Sequence, residues 1–248
     1  MYASRGSEST VRSNEGGVST SWRSYSDTNV WVLPTGDKLV TLQQEAGSLA
    51  FSPDNSILAS GTRKELRFIN TETWEAKWNL QIRNTFDGKL MFSPNGKMFA
   101  LYGTFRKTRI WDMSTEQEIT PDDIKDGNAL AFSPDNKLMA SSNNEGIVLW
   151  DISPEGIHRH KTHIDAHWGL GEVLLFSPDS KILLHATSKE KDIIQLWEVE
   201  TGNDLGSLPG HTWKIYSLVF SHDGKTLASG AGDSTVLLWD WEKVLSKV

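Results

Sequence analysis

The chain has 248 residues, 25 basic against 32 acidic side chains, and a formal net charge of −7. It is long enough to bury a sizeable core, and its acidic balance argues against nucleic acid or an anionic membrane as partner, since both need a basic field. The absence of cysteine excludes disulfides, thiolate metal sites and cysteine nucleophiles. No apolar run approaches the roughly 20 residues that cross a bilayer as a helix. Residues 1–26 hold eight serines and lack the apolar stretch of a signal peptide. Cysteine usage does not fix the compartment, and a cytoplasmic location is the expectation. There are 11 tryptophans against 4 tyrosines, which points to a repeated element.

The repeat is visible directly. FSPDN begins at Phe51, FSPNG at Phe92, FSPDN again at Phe132, FSPDS at Phe176 and FSHDG at Phe220. Their serines, Ser52, Ser93, Ser133, Ser177 and Ser221, are spaced by 41, 40, 44 and 44 residues. A fixed period in this range marks an array of one supersecondary unit. A second marker follows each: Ile69 in RFINTET, Trp111 in RIWDMST, Trp150 in VLWDISP, Trp197 in QLWEVETG and Trp239 in LLWDWEK. Upstream, Trp31 stands in VWVLPTG, and Val11–Ser21 falls in register with Val219–Ser229. Six repeats result, over residues 1–42, 43–80, 81–119, 120–160, 161–208 and 209–248, forming a single domain.

In chain order the units read as strands. The segment 203–208 after the turn EVETG supplies an edge strand of the fifth repeat. In the sixth repeat, Ser217–Ser221 is a first strand, HDG at 222–224 a turn, 226–230 a second strand and GDS at 232–234 another turn. Thr235–Trp239 reads as a continuous apolar strand covered on both faces. The fourth strand of this unit has only residues 241–248 to draw on, a segment without a turn glycine. Between the fourth and fifth repeats, HRHKTHIDAH carries His158, His160, His163 and His167 and reads as a loop. Four short antiparallel strands leave two apolar faces that a single sheet cannot bury. Stacking such sheets around an axis solves this, which is the logic of a β-propeller. The fold class is therefore all-β, a propeller of four-stranded antiparallel blades with six repeats, a seven-bladed ring or an open arc being the alternatives.

These markers resemble the WD-repeat family, most fully in GHTWKIYSLVFSHDGKTLASGAGDSTVLLWD at 210–240. The resemblance implies a hydrogen-bonded relay in which His211, Ser229, Asp233 and Trp239 take the family's four positions. Trp, His and Ser each carry a donor that is costly to bury unpaired, and an aspartate at the end orients the imidazole. The earlier repeats are eroded. The fifth keeps His167 and Trp197 but has His185 at the serine position. The fourth keeps Ser141 and Trp150, with Asp123 at the histidine position. The third has Leu101 at the hydroxyl position beside Trp111, and the second has Ser60 with Lys64 and Ile69.

The functional expectation is a non-catalytic protein-interaction scaffold, with no catalytic, cofactor or metal residues. His, Ser and Asp together also suggest a hydrolase, but no nucleophile elbow is visible. The resemblance implies a protein or peptide partner docking on the face around the central channel. The positions feeding that face are Trp213, Lys214 and Tyr216 in the last repeat, Trp168, Leu170 and Glu172 in the fifth, and Asp126 and Asn128 in the fourth. Two alternatives stand beside this: a metal or small-molecule site with hydrolytic activity, built on the histidine cluster, and an architectural unit that self-associates through open edges.

Overall fold

The computed structural model describes residues 2–5, 27–32, 35–42, 46–62, 64–82, 88–103, 107–125, 127, 129–143, 146–164, 166, 173–187 and 192–247. The chain divides into two units, Met1–Met91 and Phe92–Val248. The first sheet holds β1 (Tyr2–Arg5), β2 (Thr28–Trp31) and β3 (Lys38–Leu42) in that order. The second holds β4 (Ser48–Phe51), β5 (Ile57–Gly61), β6 (Leu66–Asn70) and β7 (Ala76–Leu80). A third is made by β8 (Lys89–Phe92), β9 (Met98–Tyr102) and β10 (Arg109–Asp112). The fourth comprises β11 (Ala129–Phe132), β12 (Leu138–Asn143), β13 (Gly146–Ser153) and β14 (Gly156–Ile164). The fifth comprises β15 (Val173–Phe176), β16 (Ile182–Thr187), β17 (Ile193–Glu198) and β18 (Asp204–Pro209). The sixth has β19 (Ile215–Phe220), β20 (Thr226–Ala231) and β21 (Val236–Asp240), followed by α1 (Trp241–Leu245). Each strand pairs antiparallel with its sequence neighbour.

The repeated Phe-Ser-Pro string is a turn device. In Ser52, Ser133, Ser177 and Ser221 the hydroxyl donates at 2.6 Å to the aspartate two residues on, and in Ser93 at 2.8 Å to Asn95. Each serine Oγ also accepts the N–H five residues on, at 2.9 to 3.0 Å. The fifth residue of the string takes a left-handed backbone: φ is 60° at Asn55, 70° at Gly96, 60° at Asn136, 63° at Ser180 and 70° at Gly224. That conformation explains why the position alternates between Asn, Gly and Ser. In the second unit the turns also touch each other. Asn136 Oδ1 accepts from the Asn95 N–H at 2.9 Å, and Ser180 Oγ from the Asp135 N–H at 3.3 Å.

Between the sheets lies the core. Ala140, Ile147 and Leu149 of the fourth sheet pack with Leu174, Phe176 and Leu183 of the fifth. The opposite face of the fifth, Leu184, Ile194 and Leu196, packs with Leu218, Phe220, Leu227 and Trp239 of the sixth. In the first unit, Val30 with Val40 meets Leu58 and Ile69. Each fully buried aliphatic side chain here stabilises by about 1.5–3 kcal/mol. Aromatic contacts add to this: Phe68 stacks on Trp78 at 4.5 Å, and Phe99 meets Phe92 edge-on at 4.9 Å.

Four features differ from the sequence reading. First, β21 is not covered on both faces: Val236 is 68% and Leu238 71% exposed. Second, the residues after β21 form a helix where a fourth strand was expected. Asp240 caps α1 by accepting the Lys243 N–H, and Trp241 packs edge-on against Phe220 at 4.9 Å. An N-cap aspartate with no turn glycine behind it favours this outcome over a hairpin. The sixth sheet thus has three strands among the described residues. Third, His158, His160 and His163 lie on β14 rather than in a loop, because Gly156, with φ of 136°, turns the chain straight back onto β13. Fourth, the strand paired with β2 is Tyr2–Arg5, while the Val11–Ser21 register lies outside the described residues.

Candidate functional site

The sixth sheet holds the fullest polar network. Ser229 sits at the middle of β20, fully buried, and accepts the indole N–H of Trp239 on β21 at 2.9 Å. His211 precedes β19; its Nε2 lies 2.7 Å from Ser229 Oγ and its Nδ1 3.1 Å from Asp233 Oδ2. Asp233 occupies the β20–β21 turn, where its carboxylate also accepts the Thr212 N–H at 2.8 Å and the Thr235 hydroxyl at 2.6 Å. One proton assignment satisfies every group: indole N–H to Ser229, Ser229 O–H to Nε2, and Nδ1–H to Asp233. The Thr235 hydroxyl first, then the Thr212 N–H, hold the Asp233 carboxyl well below the usual carboxylate range.

This order of serine, imidazole and carboxylate is that of a hydrolytic triad. Here Ser229 is fully buried and one of its lone pairs is taken by Trp239, so in this conformation no substrate carbonyl reaches Oγ. The network ties the approach to β19 and the β20–β21 turn to the centre of the sheet.

On that tied corner sit the three residues singled out in the last repeat. Trp213 and Tyr216 are 63% and 60% exposed. The two rings flank Gly232: a Cβ there would lie 3.1 Å from Tyr216 and 3.2 Å from Trp213. Lys214 Nζ stands 5.6 Å over the Tyr216 ring, and the Lys214 carbonyl accepts the Gly232 N–H at 2.9 Å. Trp168, Glu172, Asp126 and Asn128, together with Leu170, lie outside the described residues.

The eroded repeats show what replaces the network. In the fourth sheet Trp150 Nε1 still donates to Ser141 Oγ at 2.8 Å. In the fifth, His185 stands at the serine position and the buried Trp197 Nε1 has no partner among the described residues. Leu101 and Trp111 of the third sheet are each 2% exposed, and Ile69 of the second 4%, so apolar packing takes over there. Two members of the sixth-sheet network were not anticipated from sequence: Thr235 and the Thr212 N–H. The Asp-Ser-Thr order of residues 233–235, an Asx-turn pattern, was the available signal.

Of the β14 histidines, His160 is held by local partners. His160 Nδ1 accepts the Thr162 N–H at 3.0 Å, and its Nε2 stands 3.8 Å from Asp151. Among the described residues, no three His, Asp or Glu side chains are grouped to hold a metal ion. No helix is long and apolar enough to cross a membrane among them.

Comparison with known proteins agrees with this geometry. The family described as "WD domain, G-beta repeat" matches residues 122–151 and 202–240. The chain is 26% identical over 215 residues to the serine-threonine kinase receptor-associated protein of Gallus gallus, covering 85% of this chain and 59% of that protein. It is 26% identical over 231 residues to the LST8 homolog of Drosophila melanogaster, covering 85% and 71% respectively. Against transducin beta-like protein 3 of Bos taurus it is 31% identical over 113 residues, 45% of this chain and 14% of that one. The chain thus spans less than two thirds of the chicken relative and about a seventh of the bovine one. A chain in the crystal structure of the mitotic checkpoint complex superposes with a TM-score of 0.72 at 20% identity, over 86% of this chain and 68% of that one, which speaks to the fold. The turn-locked sheets, the Trp-Ser-His-Asp network and these matches point the same way: residues 122–151 and 202–240 match WD repeats, and the chain is similar to WD-repeat β-propeller proteins.

Proposed function

We propose that the chain is a non-catalytic scaffold of the cytoplasm that captures a protein or peptide partner, and that Trp213, Lys214 and Tyr216 anchor this partner. One observation carries the reading: two aromatic rings, both more than half exposed, flank a glycine on a turn that the buried network holds rigid. Rigid, exposed Trp and Tyr are the side chains that dominate binding energy at protein interfaces, and pre-ordering them lowers the entropic cost of association. Lys214 adds a cation at the same point, which favours an acidic or carbonyl-rich segment. By their place before the first strands of their repeats, Trp168, Glu172, Asp126 and Asn128 would extend the same face. A relative whose name speaks of receptor association, and a solved neighbour that is part of an assembly, support an interaction role. Nucleic acid and membrane are not partners in this reading, and no cofactor takes part.

The test is capture from source-cell lysate with the wild-type chain beside Trp213→Ala/Lys214→Ala/Tyr216→Ala, followed by titration of the captured protein against both. A partner that binds wild type and loses at least about 100-fold in affinity with the triple variant supports the site, since two aromatic anchors contribute about 2 kcal/mol or more each. A partner held equally by both removes these residues from the docking surface.

A further inference from the structure

The turn between β8 and β9 differs from the other repeats at the position of the turn carboxylate. Asp54, Asp135, Asp179 and Asp223 each accept the serine hydroxyl two residues back at 2.6 Å and the N–H two residues on at 3.0 to 3.2 Å. In the third repeat Asn95 stands in that place. Its Oδ1 accepts the Ser93 hydroxyl at 2.8 Å and the Lys97 N–H at 3.0 Å. Both contacts use the amide oxygen, and the side chain is exposed. The residue that follows is Gly96, with φ of 70°, and this Asn-Gly pair occurs once in the chain. An asparagine bonded to the N–H two residues on is folded back over the peptide between them. The Gly96 nitrogen therefore lies beside the Asn95 side-chain carbonyl, with no Cβ in the way.

We propose that Asn95 is a modification site, at which the folded turn loses ammonia and converts the asparagine to aspartate. Solvent base takes the Gly96 N–H proton, the Gly96 nitrogen bonds to Asn95 Cγ, and the Cγ–Nδ2 bond breaks as Nδ2 is protonated and leaves as ammonia. Water then opens the cyclic imide at either carbonyl, giving aspartate or isoaspartate, and nothing is oxidised or reduced. Negative charge develops on Oδ1 as the nitrogen attacks. The Ser93 hydroxyl and the Lys97 N–H already donate to that oxygen, an arrangement that stabilises such a charge. The Gly96 N–H also donates to the Ser93 carbonyl at 2.8 Å. That bond must open before the proton leaves, so the reaction is slow and quickens as pH rises. The aspartate product suits the turn. It keeps both contacts, now charge-assisted and therefore stronger, as in the other four repeats. At Asp54 and Asp223 the serine hydroxyl first, then the backbone N–H two residues on, hold the carboxyl below its ordinary value. Isoaspartate instead lengthens the backbone by a methylene before Gly96 and takes its N–H out of register with Ser93. Ageing thus ends in a strengthened turn or a broken one. This inference stands on the turn alone and does not require the partner site above.

Peptide mapping by mass spectrometry of the whole chain, aged at mildly alkaline pH with and without urea, reads the result. Without urea, the Asn95 peptide is expected to gain the mass change of amide to acid. It does so ahead of the peptides of Asn55 and Asn136, whose following residues, Ser56 and Lys137, carry a Cβ. Fragment ions separate aspartate from isoaspartate. Gly96→Asn should suppress the conversion while keeping the turn, because Asn55 and Asn136 take the same left-handed conformation at the matching position, each with φ of 60°. Asn95→Asp, standing for the aspartate product, should raise the urea midpoint at neutral pH. Asn95 that stays intact in the folded chain overturns the proposal, and conversion in urea alone would mean that the turn protects it. Conversion undiminished in Gly96→Asn also overturns it, since the Gly96 nitrogen is then not the unhindered nucleophile. A midpoint unchanged or lowered in Asn95→Asp overturns the fit of the product to the turn.

Discussion

Replacing Ser229 with alanine removes one oxygen and leaves two groups unserved. The Trp239 indole N–H loses its acceptor at 2.9 Å, and His211 Nε2 loses its donor at 2.7 Å. A buried polar group left unsatisfied costs about 1–3 kcal/mol. The His211 side chain is 1% exposed, so water does not replace the lost bond there and the upper half of that range applies. Trp239 is only half-buried, so its N–H reaches solvent more easily and the lower end applies. The sum is about 3–4 kcal/mol, a large share of the roughly 5–15 kcal/mol that holds a domain folded. Urea unfolding followed by tryptophan fluorescence measures the total, and amide exchange in β19–β21 locates it. A loss below about 1 kcal/mol, or exchange accelerated equally in the fourth and sixth sheets, would refute the argument that the network holds this sheet. A cycle with His211→Ala sharpens the test, because residues in direct contact should couple by about 1 kcal/mol or more.

The same reasoning separates the tryptophans: Trp150→Phe breaks a bond to Ser141 and should cost about 1–2 kcal/mol more than Trp197→Phe, whose N–H has no described partner, in paired thermal melts. Gly224→Ala should destabilise by about 1–3 kcal/mol, since φ is 70° and the new Cβ would meet Pro178 at 3.0 Å; Gly36→Ala, at φ of 77° with open space around it, isolates the backbone share of that cost. The turn carboxylates predict an acid limb. Hydrogen bonds from Ser52 first, then Ser56, lower Asp54 from 3.8 to about 2, and Asp233 is lowered likewise. A depressed folded pKa adds stability that is complete above the unfolded value and lost as pH falls through the folded one. Stability should thus decline from about pH 4 toward pH 2, and the decline should be shallower in Asp54→Asn, as read by urea midpoints across that range.

Much of the fold was legible because its signals are local. The Ser-Pro-Asp-Asn string encodes a turn whose hydroxyl, carboxylate and left-handed residue lie within five positions, so its recurrence counts the units without reference to anything distant. The network residues His211, Ser229, Asp233 and Trp239 were legible through the resemblance to the WD-repeat family, whose four positions they match. Thr235 was missed because its role depends on where Asp233 points. Trp213 and Tyr216 were ambiguous in sequence, since an aromatic after the first histidine packs on a loop or faces water with equal chemical sense; in the structure they are 63% and 60% exposed and flank Gly232.

The segment 241–248 shows the opposite case. Its composition suits neither a strand nor a long helix, and a capping Asp240 with Trp241 docking on Phe220 decided for a short helix. The apolar run Val236–Trp239 shows the limit most plainly. Sequence alone determined that this segment is a strand, that it pairs with β20, and that alternate residues share a face, because strand geometry has a period of two whatever surrounds it. Which face is covered is not a property of the strand. Trp239 packs toward the fifth sheet while Val236 and Leu238 are more than half exposed, and that depends on what stacks beyond β21. Burial is a relation between elements, and only the tertiary structure contains it.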